Sequence, residues 1–188
     1  SLRVVSSADL MNWTDHGEIQ VAGQNGGTGP AEWASHAWAP AIAYNKVNGK
    51  DKFFLYFAND ASGIGVLEAD TPLGPWKDPI GKALITGQTP GCEGVVWCFD
   101  PAVLVDDDGS AYIYFGGGIP GASPTQEQIN NPKSARVAKL GADMISIDGE
   151  AKLIDAPCMF EDGGIFKYGG KYYYSYCSNF MKEHTEGN

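Results

Sequence analysis

The stretch FDPAVLVDDDGSAYIYFGGG, residues 99–118, reads as a strand, a tight turn and a second strand, and it decides the fold because it recurs. Related stretches are WAPAIAYNKVNGKDKFFLYFAN from residue 38 and FEDGGIFKYGGKYYYSYCSN from residue 160. Both steps between the copies are 61 residues. In each copy an Asn-Gly, Asp-Gly or Gly-Gly pair provides the positive φ that tight hairpin turns need. The sequence therefore predicts three β-hairpins in phase.

A second, outer part of the unit also repeats. RVVSSADLMNWTDHGEI from residue 3 resembles IGVLEADTPLGPWKDPIGKAL from residue 64, and ARVAKLGADMISIDGEAKLI from residue 135 is a weaker third version. Each unit thus has four strands, an inner hairpin followed by an outer pair. Four-stranded antiparallel units that recur at about this spacing are typical of a β-propeller, in which blades surround a central channel.

The repeat predicts four segments of an all-β propeller. Residues 1–35 hold the outer strands of a first blade and a linker, 36–96 a second blade, 97–157 a third blade, and 158–188 the inner hairpin of a fourth. A closed ring needs at least about four blades, so we interpret the chain, with about three, as part of a larger propeller. The alternative is a β-sandwich whose hairpins are in phase by coincidence.

The composition suits such a fold and argues against several functions. Twenty-five glycines and 12% aromatic residues are typical of a β protein with many turns. The net charge of −10 argues against nucleic acid and membranes as partners, because phosphate binding needs clustered Lys and Arg. No apolar run approaches the roughly 18 residues of a membrane span, and no N-terminal secretion signal is visible, so we expect a soluble protein.

Two acidic residues occupy the same position of the repeat. The residue after the leading aromatic is Ala39, then Asp100, then Glu161. The first strand of each propeller blade lines the channel, so both acids should face one funnel. Carboxyl groups in such a pocket suit glycosidic bond cleavage, because burial raises the pKa of an acid until it can protonate a leaving oxygen. The competing interpretation is that Asp100 caps a turn before Pro101 and Glu161 belongs to a solvated loop.

Aromatic side chains and one histidine flank the acid positions and are candidates for sugar binding. Aromatic rings offer a flat apolar face to a sugar ring, and a histidine can hydrogen-bond its hydroxyls. The competing interpretations are packing between blades for the aromatic residues and an ordinary loop position for the histidine. The candidates are Trp38, Phe99, Trp97, Phe160 and His36.

These motifs resemble glycoside hydrolase family 43. The two stretches at 99–118 and 160–180, WAPAI from residue 38 and SSADLMNWTDHGEI from residue 6 carry the resemblance, which covers essentially the whole chain. It implies a five-bladed propeller that releases arabinofuranosyl or xylosyl residues from arabinoxylan, xylan or arabinan with inversion of configuration. It also implies a secreted protein that acts on plant cell-wall polysaccharide or oligosaccharide. Members often carry appended carbohydrate-binding modules; no cofactor is required, although a structural calcium has room in the complete propeller.

The resemblance assigns roles to the two acids. Glu161 matches the family's general acid, and Asp100 matches the aspartate that orients this acid and tunes its pKa. The family's general base, an aspartate on the first blade, would fall 61 residues before Ala39, outside this chain. We therefore expect the isolated chain to be inactive. The alternatives are a retaining β-fructosidase-like hydrolase and a non-catalytic sugar-binding propeller.

The remaining features have structural interpretations or leave alternatives open. DDDG at 106–109 lacks the D-x-D-x-D-G alternation of a calcium loop and is predicted to be a hairpin turn. No metal site is predicted, since the three histidines are scattered and C-x-x-C is absent. Of the four cysteines, Cys92 and Cys98 could close a short loop as a disulfide or remain buried thiols. The insertion 118–133 either shapes access for a branched polysaccharide or covers a blade edge.

Overall fold

The structure, a computed structural model, describes residues 2–178 and is built almost entirely of strands. No helix in this part of the chain has the length and apolar character needed to cross a membrane. The elements are β1 Leu2–Ser6, β2 Thr14–Ile19, β3 Trp38–Val47, β4 Lys50–Ala58, β5 Gly63–Ala69, β6 Ile85–Thr86, β7 Ala102–Val105, β8 Ala111–Phe115, α1 Gln126–Asn130, β9 Arg136–Lys139, β10 Lys152–Leu153, β11 Met159–Tyr168 and β12 Lys171–Ser178.

The strands form antiparallel sheets that follow one another along the chain. Two sheets are four-stranded, in the orders β3-β4-β5-β6 and β7-β8-β9-β10, and two are hairpins, β1-β2 and β11-β12. Each of the four segments predicted from the repeat contains one of these sheets, and the exact segment boundaries stay a prediction. The all-β prediction is confirmed.

The three predicted hairpins form with the expected turns. Asn48 and Gly49 have φ of 51° and 77°, and Gly169 and Gly170 have φ of 58° and 72°, so both turns use two residues in the left-handed region. The DDDG stretch is a turn as well, since the backbone N–H of Gly109 donates to the carbonyl of residue 106 at 2.9 Å. These turns fix the register of each inner pair of strands.

Apolar side chains from the two four-stranded sheets meet in a shared core. Phe54 and Ile64 of one sheet are fully buried against Ile113 of the other. Tyr56 spans the boundary, and its buried hydroxyl donates to the Met144 carbonyl at 2.7 Å. Each fully buried large apolar side chain contributes about 1.5–3 kcal/mol relative to an exposed one. The core therefore holds the two sheets face to face and fixes the spacing of their first strands.

The first strands of three consecutive sheets lie side by side. β7 contacts both β3 and β11. β3, β7 and β11 are each the first strand of an antiparallel hairpin. Each of them therefore begins at the end of its hairpin that is opposite the turn. This is the arrangement of inner strands in consecutive propeller blades. It brings the residues at the three strand starts together.

Candidate active site

An open cavity of about 450 Å³ lies where the first strands of the three sheets begin. Small-molecule sites have volumes of about 300–1,000 Å³, so the cavity has the size of a binding pocket. Three similar backbone segments, one from each sheet, build its wall. They are residues 39–42, residues 100–103, and the third segment with Asp162, Gly163 and Ile165.

One residue of each segment has a left-handed backbone. Ala39, Asp100 and Asp162 have φ of 42°, 48° and 61°. Such values are uncommon outside glycine, and aspartate tolerates them better than most residues. Their recurrence at three strand starts marks a shared bend that turns each residue into the cavity.

The third acid position is shifted by one residue from the sequence expectation. A step of 61 residues aligns Glu161 with Asp100, whereas backbone conformation aligns Asp162 with it. The pairing of β11 with β12 is irregular at this place, and its register changes between Met159 and Glu161 and again between Glu161 and Gly164. Asp162 lines the cavity, whereas Glu161 is not among its lining residues.

Asp100 is half-buried and interacts with the third segment. The backbone N–H of Asp162 donates a hydrogen bond to Asp100 Oδ2 at 3.0 Å. Burial raises the pKa of the Asp100 carboxyl; the hydrogen bond opposes this shift, and the charges of Glu161 and Asp162 reinforce it. A carboxyl with a raised pKa holds its proton at a pH where an exposed aspartate is ionised. The site therefore contains a carboxyl suited to proton chemistry.

Glu161 lies beside the cavity. It pairs with Cys177 of β12 and is partly exposed. The described residues that line the cavity do not include Glu161, but its charge acts on the pKa of Asp100. The charges of two carboxyl groups from adjacent blades thus interact. The catalytic roles assigned to Glu161 and Asp100 stay predictions.

His36 and Trp38 line a second cavity, of about 320 Å³. Their rings are 5.3 Å apart in an edge-on arrangement, and the Trp38 side chain is 46% exposed. Polar side chains, including Gln20, Gln24 and Asn25, form part of the same wall. Because Trp38 directly precedes Ala39, the second cavity adjoins the acid cavity along the chain.

The other aromatic candidates pack against each other. The Trp97 ring is 5.3 Å from Phe99 and 5.4 Å from Phe160, both edge to face. Phe99 is only 7% exposed, and its ring packs against Gly117. A Cβ on Gly117 would lie 2.7 Å from the Phe99 ring. None of the five candidates is among the described residues that line the acid cavity. Their contact with a substrate stays a prediction.

Two further residues at the cavity escaped the sequence analysis. A Cβ on Gly163 would lie 2.3 Å from Tyr174 Oη, so any larger residue there would displace the tyrosine side chain. The Tyr174 hydroxyl is buried and has no hydrogen-bond partner among residues 2–178. Burial raises the pKa of Tyr174, with a smaller effect of the Tyr176 and Asp100 charges. The Gly-Gly pair after the acids was the available signal for this close approach.

The structure bears on the expected metal site and on the possible disulfide in different ways. Among residues 2–178 no group of three or more His, Cys, Asp or Glu side chains could hold a metal ion. A structural calcium in the complete propeller stays a prediction. All four cysteines are free thiols. Cys92 and Cys98 are both buried, and their mutual hydrogen bond, with burial, raises the pKa of Cys92.

The fold and the cavity define part of a β-propeller with carboxyl groups from two adjacent blades near its channel. The sequence model of "Glycosyl hydrolases family 43" matches residues 1–188. An arabinoxylan arabinofuranohydrolase of Bacillus subtilis (strain 168) is 66% identical over 185 residues, which are 96% of this chain and 36% of that protein. An arabinoxylan arabinofuranohydrolase of Paenibacillus polymyxa is 64% identical over 188 residues, which are 98% and 29% of the two chains.

A solved structure gives the same result. The crystal structure of a family 43 arabinoxylan arabinofuranohydrolase from Bacillus subtilis in complex with cellotetraose has a TM-score of 0.93 and 65% identity, covering 95% of this chain and 37% of that one. The chain belongs to glycoside hydrolase family 43, and its sheets are part of a five-bladed β-propeller. It spans about a third of the length of these curated relatives. The predicted family and fold are confirmed.

Proposed function

We propose that the protein that carries this chain is a glycoside hydrolase that releases arabinofuranosyl residues from arabinoxylan, with xylan and arabinan as related substrates. The observation that carries this proposal is the half-buried Asp100, with a raised pKa, at a cavity that a second blade's carboxyl group approaches. The names of the two curated relatives, both arabinoxylan arabinofuranohydrolases, support the choice of substrate. The xylosyl alternative of the sequence analysis belongs to the same proposal.

The proposed mechanism uses carboxyl groups of adjacent blades. Glu161 donates a proton to the glycosidic oxygen as the bond breaks, and Asp100 orients Glu161 and controls its ionisation. Because the charge of Glu161 raises the pKa of Asp100, the two groups interact, and an interacting pair can hold one proton where an isolated carboxylate holds none.

Hydrolysis with inversion needs a third carboxylate as general base. This group activates a water on the opposite side of the sugar, about 6.5–9.5 Å from the acid. We propose that the base comes from another blade, in a protein that extends beyond these 188 residues as its relatives do. We also propose that the protein acts outside the cell, because a cell-wall polymer does not cross the membrane. A carbohydrate-binding module in the longer protein belongs to this proposal.

The Glu161→Gln variant, made in the longest form of the protein, tests the assigned acid. A xylan oxygen is a poor leaving group that needs protonation, whereas a nitrophenolate leaves without it. We expect kcat on arabinoxylan to fall at least about 100-fold, with a smaller fall on nitrophenyl arabinofuranoside. Affinity for the sugar should be kept. Asp162→Asn, which keeps size and tolerates the positive φ, is the matched control and should retain most of its turnover.

The outcomes separate the alternatives. Unchanged turnover of arabinoxylan by Glu161→Gln would remove the acid role from this residue. A loss confined to Asp162→Asn would assign that role to the residue that lines the cavity. Proton NMR of the first sugar anomer released tests inversion, and a retained anomer would favour the β-fructosidase-like mechanism.

A further inference from the structure

Cys98 lies two residues before Asp100, in the segment that joins the second blade to the third. Its backbone N–H donates to the Ala61 carbonyl at 2.9 Å. The preceding residue, Trp97, donates through its backbone N–H to the Gly117 carbonyl at 3.1 Å. Ala61 belongs to the second blade and Gly117 to the third, so contacts with both blades fix the place of Cys98.

Two successive turns bring Cys92 back to Cys98. The Cys92 N–H donates to the Thr89 carbonyl at 2.9 Å, and the Cys92 carbonyl accepts from the Val95 N–H at 3.1 Å. Cys92 is 1% exposed and Cys98 is 4% exposed, and the two thiols hydrogen-bond to each other. A disulfide forms without backbone movement only between cysteines that the fold already holds close. The two sulfur atoms meet this condition.

A buried guanidinium holds the segment around Cys92. Arg136 Nε donates to the Gly91 carbonyl at 2.7 Å, and Arg136 Nη2 donates to the Glu93 carbonyl at 2.7 Å. These carbonyls belong to the residues on either side of Cys92, so the cationic side chain lies beside the thiol pair. Among residues 2–178 Arg136 forms no salt bridge with a carboxylate. Such a positive charge favours the ionised form of an acid near it.

The two cysteines differ in their acidity. The hydrogen bond with Cys92 lowers the pKa of Cys98; burial opposes this shift, and the charge of Arg136 reinforces it. The same hydrogen bond, together with burial, raises the pKa of Cys92. The thiolate is the form of cysteine that reacts with an oxidant, and a second cysteine beside it completes a disulfide. Cys98 is therefore the attacking sulfur and Cys92 the resolving sulfur.

We propose that Cys92 and Cys98 form a dithiol that hydrogen peroxide converts to an intramolecular disulfide. The Cys98 thiolate attacks one peroxide oxygen, the O–O bond breaks, and hydroxide leaves, which gives a sulfenic acid. The Cys92 sulfur then attacks the Cys98 sulfur, the S–O bond breaks, and hydroxide leaves with the Cys92 proton as water. In total two thiols lose two electrons and two protons, and one peroxide becomes two waters. We expect a small oxidant such as peroxide, unlike larger ones, to reach thiols this deeply buried.

The disulfide closes a short loop, residues 92–98, that ends just before Asp100. A covalent loop removes conformational freedom from the unfolded chain, while the two cysteines are already neighbours in the folded one. The oxidised protein should therefore resist heat better than the reduced protein. This proposal is independent of the proposed function, because neither cysteine is among the described residues that line the acid cavity.

Peptide analysis of the longest form of the protein tests the disulfide. The reduced protein is treated with hydrogen peroxide, its remaining thiols are alkylated under denaturing conditions, and a glutamate-specific protease cuts the chain after Glu93. Because Glu93 lies between the two cysteines, a disulfide keeps their peptides joined after this cut. We expect joined peptides in the mass spectrum after peroxide, and separate alkylated peptides when a reductant follows the peroxide. The exposed Cys177 should join neither peptide.

Two variants separate the disulfide from general oxidation. We expect peroxide to raise the thermal midpoint of the wild type by at least about 3 °C. Cys177→Ser, the matched control that removes an exposed thiol, should show the same rise, and Cys92→Ala should show none. If Cys92→Ala does not fold, the joined peptides of the wild type still decide. Separate peptides after peroxide, a sulfinic acid at Cys98 with a free Cys92, or a rise retained by Cys92→Ala would overturn the proposal.

Discussion

At the scale of single residues, Tyr174 is unusual because its buried hydroxyl lacks a partner among residues 2–178. The hydroxyl lies against Gly163, which lines the acid cavity, and the ring stacks on Tyr114 with centroids 5.8 Å apart. Burying a polar group without a hydrogen bond costs about 1–3 kcal/mol. Tyr176, on the same strand, instead donates to the Pro157 carbonyl at 2.9 Å. The Tyr176 hydroxyl therefore makes a hydrogen bond in the protein, whereas the Tyr174 hydroxyl makes none with residues 2–178.

We expect Tyr174→Phe to leave the free energy of unfolding unchanged or to raise it by up to about 1 kcal/mol, because it removes an unsatisfied polar group. Tyr176→Phe is the matched control and should lower the free energy of unfolding by about 0.5–1.5 kcal/mol, because it removes a made hydrogen bond. Urea denaturation of both variants and the wild type measures the difference. An equal loss in both variants would mean that the Tyr174 hydroxyl has a partner in solution.

The cavity residues show what the sequence could predict at this scale. Asp100 could be found because it replaces Ala39 in an otherwise regular repeat. Asp162 could not, because the left-handed residue of the third segment comes one position later than a step of 61 residues predicts, where the pairing of β11 with β12 is irregular. A shift of one residue in a strand exchanges the side chains on its two faces. Aligning the repeats by a constant step of 61 residues cannot reveal such a shift.

At the scale of elements, Lys167 of β11 connects the fourth hairpin to the turn of the third blade. Its ammonium pairs with Asp106 and with Asp107 Oδ2, the latter at 2.8 Å, and the Tyr172 hydroxyl donates to Asp106. The Asp106 side chain is 14% exposed and that of Asp107 is 90% exposed. Exposed ion pairs contribute little, so the contact with Asp106 is the effective one. It ties β7 and β11 together at the end opposite the acids.

We expect Lys167→Met to lower the thermal midpoint at neutral pH and to weaken its dependence on acid. Hydrogen bonds from Lys167 and Tyr172 lower the pKa of Asp106 to about 2. A carboxyl with a lowered pKa stabilises the fold above its unfolded pKa near 3.8, and this contribution is lost as the pH falls toward 2. Thermal unfolding at several pH values from 7 down to 2 measures both effects.

The control for this experiment is Lys171→Met. Lys171 is an exposed lysine of the same hairpin and makes no ion pair with the residues at 2–178. Its replacement should change the thermal midpoint little and leave the acid dependence of the wild type intact. If both variants shift equally, the loss of a positive charge explains the effect, and the ion pair of Lys167 with Asp106 has no separate role.

The elements differ in how far the sequence predicted them. The inner hairpins were predictable because Asn-Gly, Asp-Gly and Gly-Gly pairs impose their turns. The outer strands β6 and β10 have two residues each, too few for a pattern of alternating side chains. Helix α1 was missed although its capping box, Thr125 followed by Gln128, is visible in the sequence. One buried residue, Ile129, gives a five-residue helix no periodic signal.

At the scale of the whole molecule, the described sheets surround only part of a channel. The hairpin β11-β12 exposes several large aromatic side chains, among them Phe166 at 54% and Tyr173 at 41%, which stack on each other. Exposed apolar patches of this kind mark contact surfaces or sites of aggregation. The hairpin β11-β12 therefore presents an exposed aromatic surface in this chain. The relatives are about three times as long, and their additional chain is available to cover the equivalent surface.

We expect residues 1–188, expressed alone, to show no turnover of nitrophenyl arabinofuranoside, while the longest form of the protein hydrolyses it. The acids near the cavity, Asp100, Glu161 and Asp162, all come from two adjacent blades. Inversion requires a base about 6.5–9.5 Å from the acid across the sugar, and the proposed roles assign none of the carboxyl groups at residues 2–178 to it. Release of nitrophenol by both proteins at equal concentration measures the difference. Robust turnover by the short chain would mean that one of its own carboxylates acts as base, and Asp162→Asn would then abolish it.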